Sequence, residues 1–433
     1  MDTVSSPPSG DSIIRLVKRK IIPFAFVLYL FNYMDRVNVG FAALQMNDAL
    51  NISKTDFGNI ASAFFISYLL FQIPANMLLQ RFGARRWIAS IIIGWGLVTC
   101  LMFFAQNVDQ VIGARFLLGV FEAGFFPGMI YYLACWFPAK ERARVTSLFM
   151  LAIAVSTVIA APMSGWIVEH VNTPNYEGWR WLFAIEGVPT VLLGVATLFV
   201  LADTPQDARW LTPPQRDWLT AELARENAGK GNTGTLRLAD VLGNATLWKL
   251  ALVYMFIQAA SQASNYWLPG QVKQFADGLT DTQVGLIMAL PFVCAMFAMP
   301  MWGAHSDKTG ERKWHAGLPM LLTGVAFLVI ACMPSMGMRM FGLVLFGFGI
   351  LSFYGPYWAI PPSLLSPAGL AVSIAFINSC SSLGGFLANK GLGYVAQSYG
   401  SNGVFMVEAM LCVMSFLVLL TLRVPRVQGA VGK

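Results

Sequence analysis

The chain has 433 residues, 56% hydrophobic and 12% charged, with a mean hydropathy of +0.60. Soluble domains carry about 25% charged residues, so this composition excludes an ordinary water-soluble fold and requires lipid as solvent. The formal charge of +7 does not imply nucleic acid, because the basic residues fall in the breaks between apolar runs, as in the positive-inside pattern of membrane proteins.

Residues 1–11 are polar and rich in Pro and Ser, and are expected to be disordered. Arg15, Lys18, Arg19 and Lys20 then precede the first apolar run, which is long enough to span and lacks a small-residue cleavage site, so no cleavable leader is expected. A span needs about 20 apolar residues. The sequence predicts twelve, near 21–46, 57–80, 86–106, 109–137, 143–169, 180–202, 247–274, 281–304, 315–334, 338–362, 368–398 and 402–423. The polar stretch 203–246 separates six from six and reads as an inter-domain linker. Within it, TPPQRDWLTAELARE begins with Pro at a helix entry and predicts a short interfacial or cytosolic helix. The expected fold class is therefore an all-α membrane protein: a tail (1–20), a six-helix bundle (21–202), the linker (203–246), a second six-helix bundle (247–423) and a tail (424–433).

With both termini inside, the cytoplasmic side holds 22 of the 29 Lys and Arg, and the other side holds Lys54, Arg180, Lys273 and Arg339. Arg36, Arg115 and Lys390 fall inside spans. One short motif occurs twice. Asn76-Met-Leu-Leu-Gln80-Arg81-Phe-Gly83-Ala-Arg85-Arg86 returns as Gly303-Ala-His-Ser-Asp307-Lys308-Thr-Gly310-Glu-Arg312-Lys313, at an offset of 227 residues. A basic loop repeated at half the chain length predicts two related halves, an arrangement of proteins that move solutes. The six Cys are scattered singly, and His170, His305 and His315 lack metal-ligand spacing, so neither disulfide nor metal site is expected. No catalytic triad or nucleotide loop is present, which argues against a membrane-bound enzyme.

Ionisable groups inside a bilayer are costly and usually functional. Asp35 and Arg36 lie in span 1, and Arg115 and Glu122, two helical turns apart, lie in span 4. Two acids and two bases in one half sum to zero and can neutralise each other in an empty site. A purely structural cluster would be expensive for packing alone. The functional reading is a proton-coupled anion site. Burial favours a protonated carboxyl and a nearby guanidinium favours an ionised one, so an arriving anion that competes for the Arg is linked to proton binding. Tyr33 flanks the pair, and Tyr68 and Gln72 share a face of span 2. In the second half Gln258, Gln262 and Asn265 mark span 7, Tyr354, Tyr357 and Trp358 mark span 10, and Asn378 marks span 11. Charge on one side and neutral, aromatic groups on the other suit a small acid. Lys390, deep in span 11, either snorkels outward or contacts a second carboxylate.

The paired loops resemble the signature of the major facilitator superfamily. The second copy fits it fully, and the first departs at Asn76 and Gln80. Within it, MDRVNVGFAALQM (34–46), RFGARRW (81–87), RFLLGVFEAGFFPG (115–128), WFPAKERARV (136–145), GWRWLFAIEG (178–187) and ADTPQDARWL (202–211) resemble the anion:cation symporters, which include tartrate, sugar-acid, phthalate and hydroxyphenylacetate permeases. The resemblance implies that Arg36 holds the substrate carboxylate and that Asp35 and Glu122 carry protons, with Arg115 tuning Asp35. It also implies that Tyr33, Tyr68, Trp358 and Asn378 contact the cavity. Arg81, Gly83, Arg85, Asp307, Lys308, Gly310 and Arg312 are the expected gating loops.

These readings converge on a proton symporter importing a small organic carboxylate by alternating access. It is expected to be a monomer in a bacterial inner membrane with no cofactor beyond the coupling proton. Its partners are the organic anion and the lipid bilayer. The rival is a proton-driven drug or metabolite exporter of the same fold, which AAPMSGW (160–166) in span 5 loosely suggests.

Overall fold

Polar side chains start the helices where the apolar runs begin. Ser53 accepts the Asp56 N–H at 3.0 Å, Asn107 the Gln110 N–H at 3.0 Å, and Asn244 the Thr246 N–H at 2.9 Å. Each satisfies an amide that the first helical turn leaves unpaired. The structure, a computed structural model, describes residues 10–228, 243–275, 278–365 and 370–425. Among these the only strand-like pairing is an isolated bridge, Thr173 to Tyr176.

The helices are α1 (Gly10–Ala49), α2 (Lys54–Phe82), α3 (Ala84–Met102), α4 (Val108–Glu122), α5 (Phe125–Trp136), α6 (Ala139–Met150), α7 (Ala152–His170) and α8 (Gly178–Val200) in the first half. The linker helix α9 (Pro213–Ala228) matches its sequence prediction. The second half holds α10 (Ala245–Lys273), α11 (Asp281–Thr309), α12 (Lys313–Cys332), α13 (Met336–Ile350), α14 (Tyr354–Trp358), α15 (Pro361–Leu364) and α16 (Leu370–Leu420). Predicted spans 4, 5 and 10 are thus interrupted, and spans 11 and 12 run through α16, which turns at Gly400 (φ +67°). Among the described residues, nine helical stretches are long and apolar enough to cross a membrane. Helices α1 and α10 fall outside that set because they carry the polar residues of the site described below. One expectation changes: residues 10–20 are not a tail but the first turns of α1, with Ile13, Ile14 and Val17 buried and Lys18 paired to Glu141 at 2.6 Å. The predicted disorder of 1–9, the linker segment 229–242 and the tail from 426 lie outside the described residues.

Helices α1–α8 pack as one bundle and α10–α16 as a second, and α2 meets α16, α7 meets α11 and α1 meets α10 between them. At the end opposite the first turn of α1 the bundles touch closely. A Cβ added at Gly165 would stand 2.3 Å from the Asp281 carbonyl oxygen, and one at Gly285 would stand 2.3 Å from that of Ala161. Only glycine admits this crossing. Glu169 accepts the Thr282 N–H at 2.8 Å, and Gln45 donates to Asp281 Oδ2 at 3.4 Å, closing the same end. The outward surface is apolar, with Leu70, Leu192, Phe199 and Phe297 exposed, as lipid requires.

Candidate functional site: a cavity between the two bundles

A cavity of about 680 Å³ lies between the bundles. From α1 it takes Tyr29, Tyr33 and Arg36, from α2 Tyr68 and Gln72, from α10 Tyr254, Gln258, Gln262 and Tyr266, and from the second half's later helices Tyr354 and Asn378. Its lining runs on to Asn76, Ala134 and Val372, near the helix ends that carry the first basic loop, so it extends away from the sealed end. Among the described lining residues, Arg36 is the one charged side chain.

Arg36 is set from behind. Its Nε donates to Glu122 Oε2 at 2.9 Å, and Asn32 donates to the same oxygen at 2.9 Å. The Arg36 side chain is 22% exposed and that of Glu122 is 0% exposed. The guanidinium also lies over Tyr68 (5.1 Å) and Phe64 (5.4 Å), a cation–π seat that leaves its remaining nitrogens available. The interruption between α4 and α5 falls directly after Glu122.

The other charges are placed differently from the expectation. Asp35 is buried inside the first bundle, accepting from Trp95 Nε1 at 2.9 Å and from Asn38 at 3.3 Å. Arg115 makes its described hydrogen bond to Tyr266 Oη at 2.9 Å, with its guanidinium 4.9 Å from the Phe64 ring. Its Nε and Nη1 have no partner among the described residues. Asn38 also donates to Glu186 at 2.8 Å, and Ser164 donates to Glu186 at 3.1 Å. One amide nitrogen therefore joins two buried carboxyl groups. In sequence Glu186 is one acid in an apolar run, and nothing local marks it as a neighbour of span 1.

Two predicted contacts do not reach the cavity. Trp358 packs edge-on against Tyr254 (4.9 Å) and supports that ring; Tyr254 and Tyr354 form the wall instead. Lys390 is exposed, with Nζ 5.7 Å from the Phe386 ring, so it snorkels outward and is no second-carboxylate contact. Tyr33, Tyr68, Gln258 and Asn378 line the cavity as expected. Asn265 donates to Tyr33 Oη at 3.3 Å, and Tyr354 donates to Gln258 at 2.7 Å, which fixes the neutral wall. Tyr254, Gln258, Gln262 and Tyr266 recur every four residues, a stripe on one helix face that the sequence displays.

The repeated loops share a device. Gly83 (φ +82°) and Gly310 (φ +63°) turn the chain after α2 and α11 in a left-handed conformation that favours glycine. Arg312 pairs with Asp307 at 2.6 Å, and Lys308 is exposed. The first copy has Gln80 where the second has Asp307, and Arg85 finds its acid elsewhere: Asp203 accepts the Arg85 backbone N–H at 2.8 Å and lies 3.5 Å from its Nε. Arg81 lies 6.0 Å from the Phe82 ring. Beside the second loop, Glu311 bonds His315 Nδ1 at 2.7 Å, and His315 Nε2 meets His305 Nδ1 at 2.7 Å. Partial burial opposes charge on Glu311, but the N–H groups of Trp314 and His315 and the His315 ring hold its carboxyl below the usual range. No group of three or more potential metal ligands occurs among the described residues.

Comparison with known proteins agrees with this geometry. The chain matches the family described as Major Facilitator Superfamily over residues 25–389 and 274–432. It is similar to two Agrobacterium vitis proteins whose names assign them, provisionally, to tartrate transport; they are 41% and 42% identical, covering 95% of this chain and 91% and 95% of their own lengths. A quinolone resistance transporter of Acinetobacter baumannii is 34% identical over 90% of this chain and 89% of its own length. Among solved structures, a D-xylose-proton symporter superposes with a TM-score of 0.74 at 16% identity, over 94% of this chain and 98% of that one. At that identity the likeness speaks to the fold alone.

Proposed function

The chain belongs to the major facilitator superfamily, a multi-pass membrane transport protein rather than an enzyme, and from that premise we propose that it imports a small organic carboxylate together with protons. The observation that carries this reading is Arg36, the one charged side chain among the described residues of the cavity wall, held at 2.9 Å by the fully buried Glu122. An anion entering the cavity meets a fixed guanidinium and competes with Glu122 for it. Once released, a carboxylate with no water and no cation is costly to keep ionised, and proton uptake removes that cost. Asp35, linked through Asn38 to Glu186, is a second proton-holding group behind the first.

The hydroxyls and amides of Tyr33, Tyr68, Gln258, Tyr354 and Asn378 suit a hydroxylated acid, and the names of the Agrobacterium vitis relatives favour tartrate within that class. With the basic loops in the cytoplasm of a bacterial cell, the cavity is open inward and the glycine crossing closes the outer side. A second reading, proton-driven export, draws on the similarity to the quinolone resistance transporter.

The test is uptake into proteoliposomes under an inward proton gradient, with labelled tartrate, a sugar acid, phthalate and hydroxyphenylacetate. Gradient-driven accumulation of one acid, lost in Arg36→Ala and uncoupled from the gradient in Glu122→Gln, is the expected result. No accumulation of any acid, with quinolone extrusion instead, transfers the assignment to the exporter.

A further inference from the structure

The sealed end of the molecule holds polar groups that the central cavity does not use. Four basic residues belong to that end: Lys54, Arg180, Lys273 and Arg339. Arg180 is paired with Glu177 at 3.1 Å, and Lys273 is paired with Asp281. Arg339 is different. Its Nε donates to the Met333 carbonyl at 3.0 Å, and its guanidinium lies 5.3 Å from the Phe275 ring. Fixed in this way, Arg339 borders a pocket of about 310 Å³ with Gln271, Gln274, Ser401 and Asn402. Its described lining contains no acid.

Gln271 is the informative residue. It is 3% exposed, and neither Oε1 nor Nε2 has a hydrogen-bond partner among the described residues. A buried amide left without partners is costly, and in a native protein it calls for a ligand or ordered water. Gln274 accepts the Ser401 hydroxyl at 2.6 Å, which leaves its amide nitrogen as a donor beside Arg339.

Gln271 also lines an adjoining pocket of about 230 Å³, together with Lys54, Asp48 and Tyr266. Tyr266 in turn lines the central cavity and accepts the Arg115 hydrogen bond. Three cavities are thus strung along α10, with Gln271 shared by the outer two and Tyr266 shared by the inner two. The middle pocket carries Lys54 and Lys273 beside Asp48, whereas the pocket at Arg339 has a cation and no acid among its described lining, which makes it the simpler seat for negative charge.

We propose that this pocket is a second anion site, in which Arg339 and Gln271 take the carboxylate and hydroxyl of a small hydroxycarboxylate on the side opposite the open cavity. The ligand class rests on the function proposed above; the site rests on its own geometry. The site captures the anion while the crossing at Gly165 and Gly285 is closed, and delivers it past Tyr266 when the bundles part.

The experiment is equilibrium binding of tartrate to the full chain in lipid nanodiscs. It compares wild type, Arg36→Ala, and Arg36→Ala combined with either Gln271→Leu or Arg339→Gln. The expected result is that Arg36→Ala keeps one weak site per chain, and that each added substitution weakens it at least tenfold. Gln271→Leu removes an unpartnered amide, so its melting temperature should equal or exceed that of its parent; lost binding is then not unfolding. Absence of tartrate binding in Arg36→Ala, or binding that neither substitution changes, overturns the proposal. A Gln271-dependent site in a chain that accumulates no carboxylate would leave this site standing and remove the transport reading.

Discussion

The two bundles face one cavity with different chemistry. The first contributes Arg36 backed by Glu122, and keeps Asp35, Arg115 and Glu186 buried behind that wall. The second contributes Tyr254, Gln258, Gln262, Tyr354 and Asn378, and its lining carries no charge among the described residues. Its one deeply buried acid on α16, Glu408, is contacted by Ser264 at 3.4 Å, away from the cavity lining. The difference teaches a division of labour. On the proposed function, the fixed charge in low dielectric would recognise any carboxylate, and its counter-ion, a carboxyl group, would couple it to protons. Hydrogen-bonding and aromatic groups on the opposite wall would then choose among carboxylates, because an unmatched polar group on either partner costs more than a matched one gains.

The most severe way to break this comparison is to remove the charge. Arg36→Ala leaves Glu122 buried without its cation, and losing one partner of such a pair costs about 3–5 kcal/mol; uptake should fall by at least a hundredfold for every acid. Next is the hinge between the bundles. Gly285→Val would push a side chain onto the Ala161 carbonyl, so this end could not close, and transport should stop while carboxylate binding persists in a binding assay. Altering the neutral wall should act more gently and selectively. Gln258→Leu removes the acceptor of the Tyr354 hydroxyl and should change KM by roughly tenfold, the worth of about one hydrogen bond, differing between tartrate and an aromatic acid. An equal effect on all acids would collapse the proposed division.

Smaller still is Glu311→Gln at the second basic loop. Because the folded protein holds the Glu311 carboxyl below its ordinary range, its contribution is present above the unfolded value of about 4.3 and fades as pH falls through the folded one. The variant should lower the melting temperature by a few degrees at pH 7, with the gap closing below about pH 4. Lys390→Ala, on the outer surface, should leave uptake within about twofold, the size expected of an exposed residue without polar partners.

The fold was legible where physics acts locally. Span length, the basic loops and the half-chain repeat depend on lipid thickness and charge placement, so the two-bundle architecture could be read directly. Gln258 and Gln262 could be read as marking span 7, but the flanking Tyr254 and Tyr266 of the same stripe were not picked out. Partners that meet through space were not. Nothing near Arg115 indicates that Tyr266, 151 residues away, receives its hydrogen bond, nor that Asn38 ties Asp35 to Glu186. Trp358 was misjudged because its aromatic neighbours place the cavity wall one ring inward, and Lys390 was left between two readings because depth in a span says nothing about which face a side chain takes.

The central claim is that a carboxylate takes Arg36 from Glu122, and that Glu122 then takes a proton. It is tested most directly by proton uptake on binding, measured with a pH-sensitive dye in weakly buffered nanodiscs as the acid accumulated in the uptake panel is added. Wild type should take up protons in proportion to bound acid, and Glu122→Gln should bind the acid with that uptake reduced or absent. Binding without proton uptake in wild type, or undiminished uptake in Glu122→Gln, would contradict it.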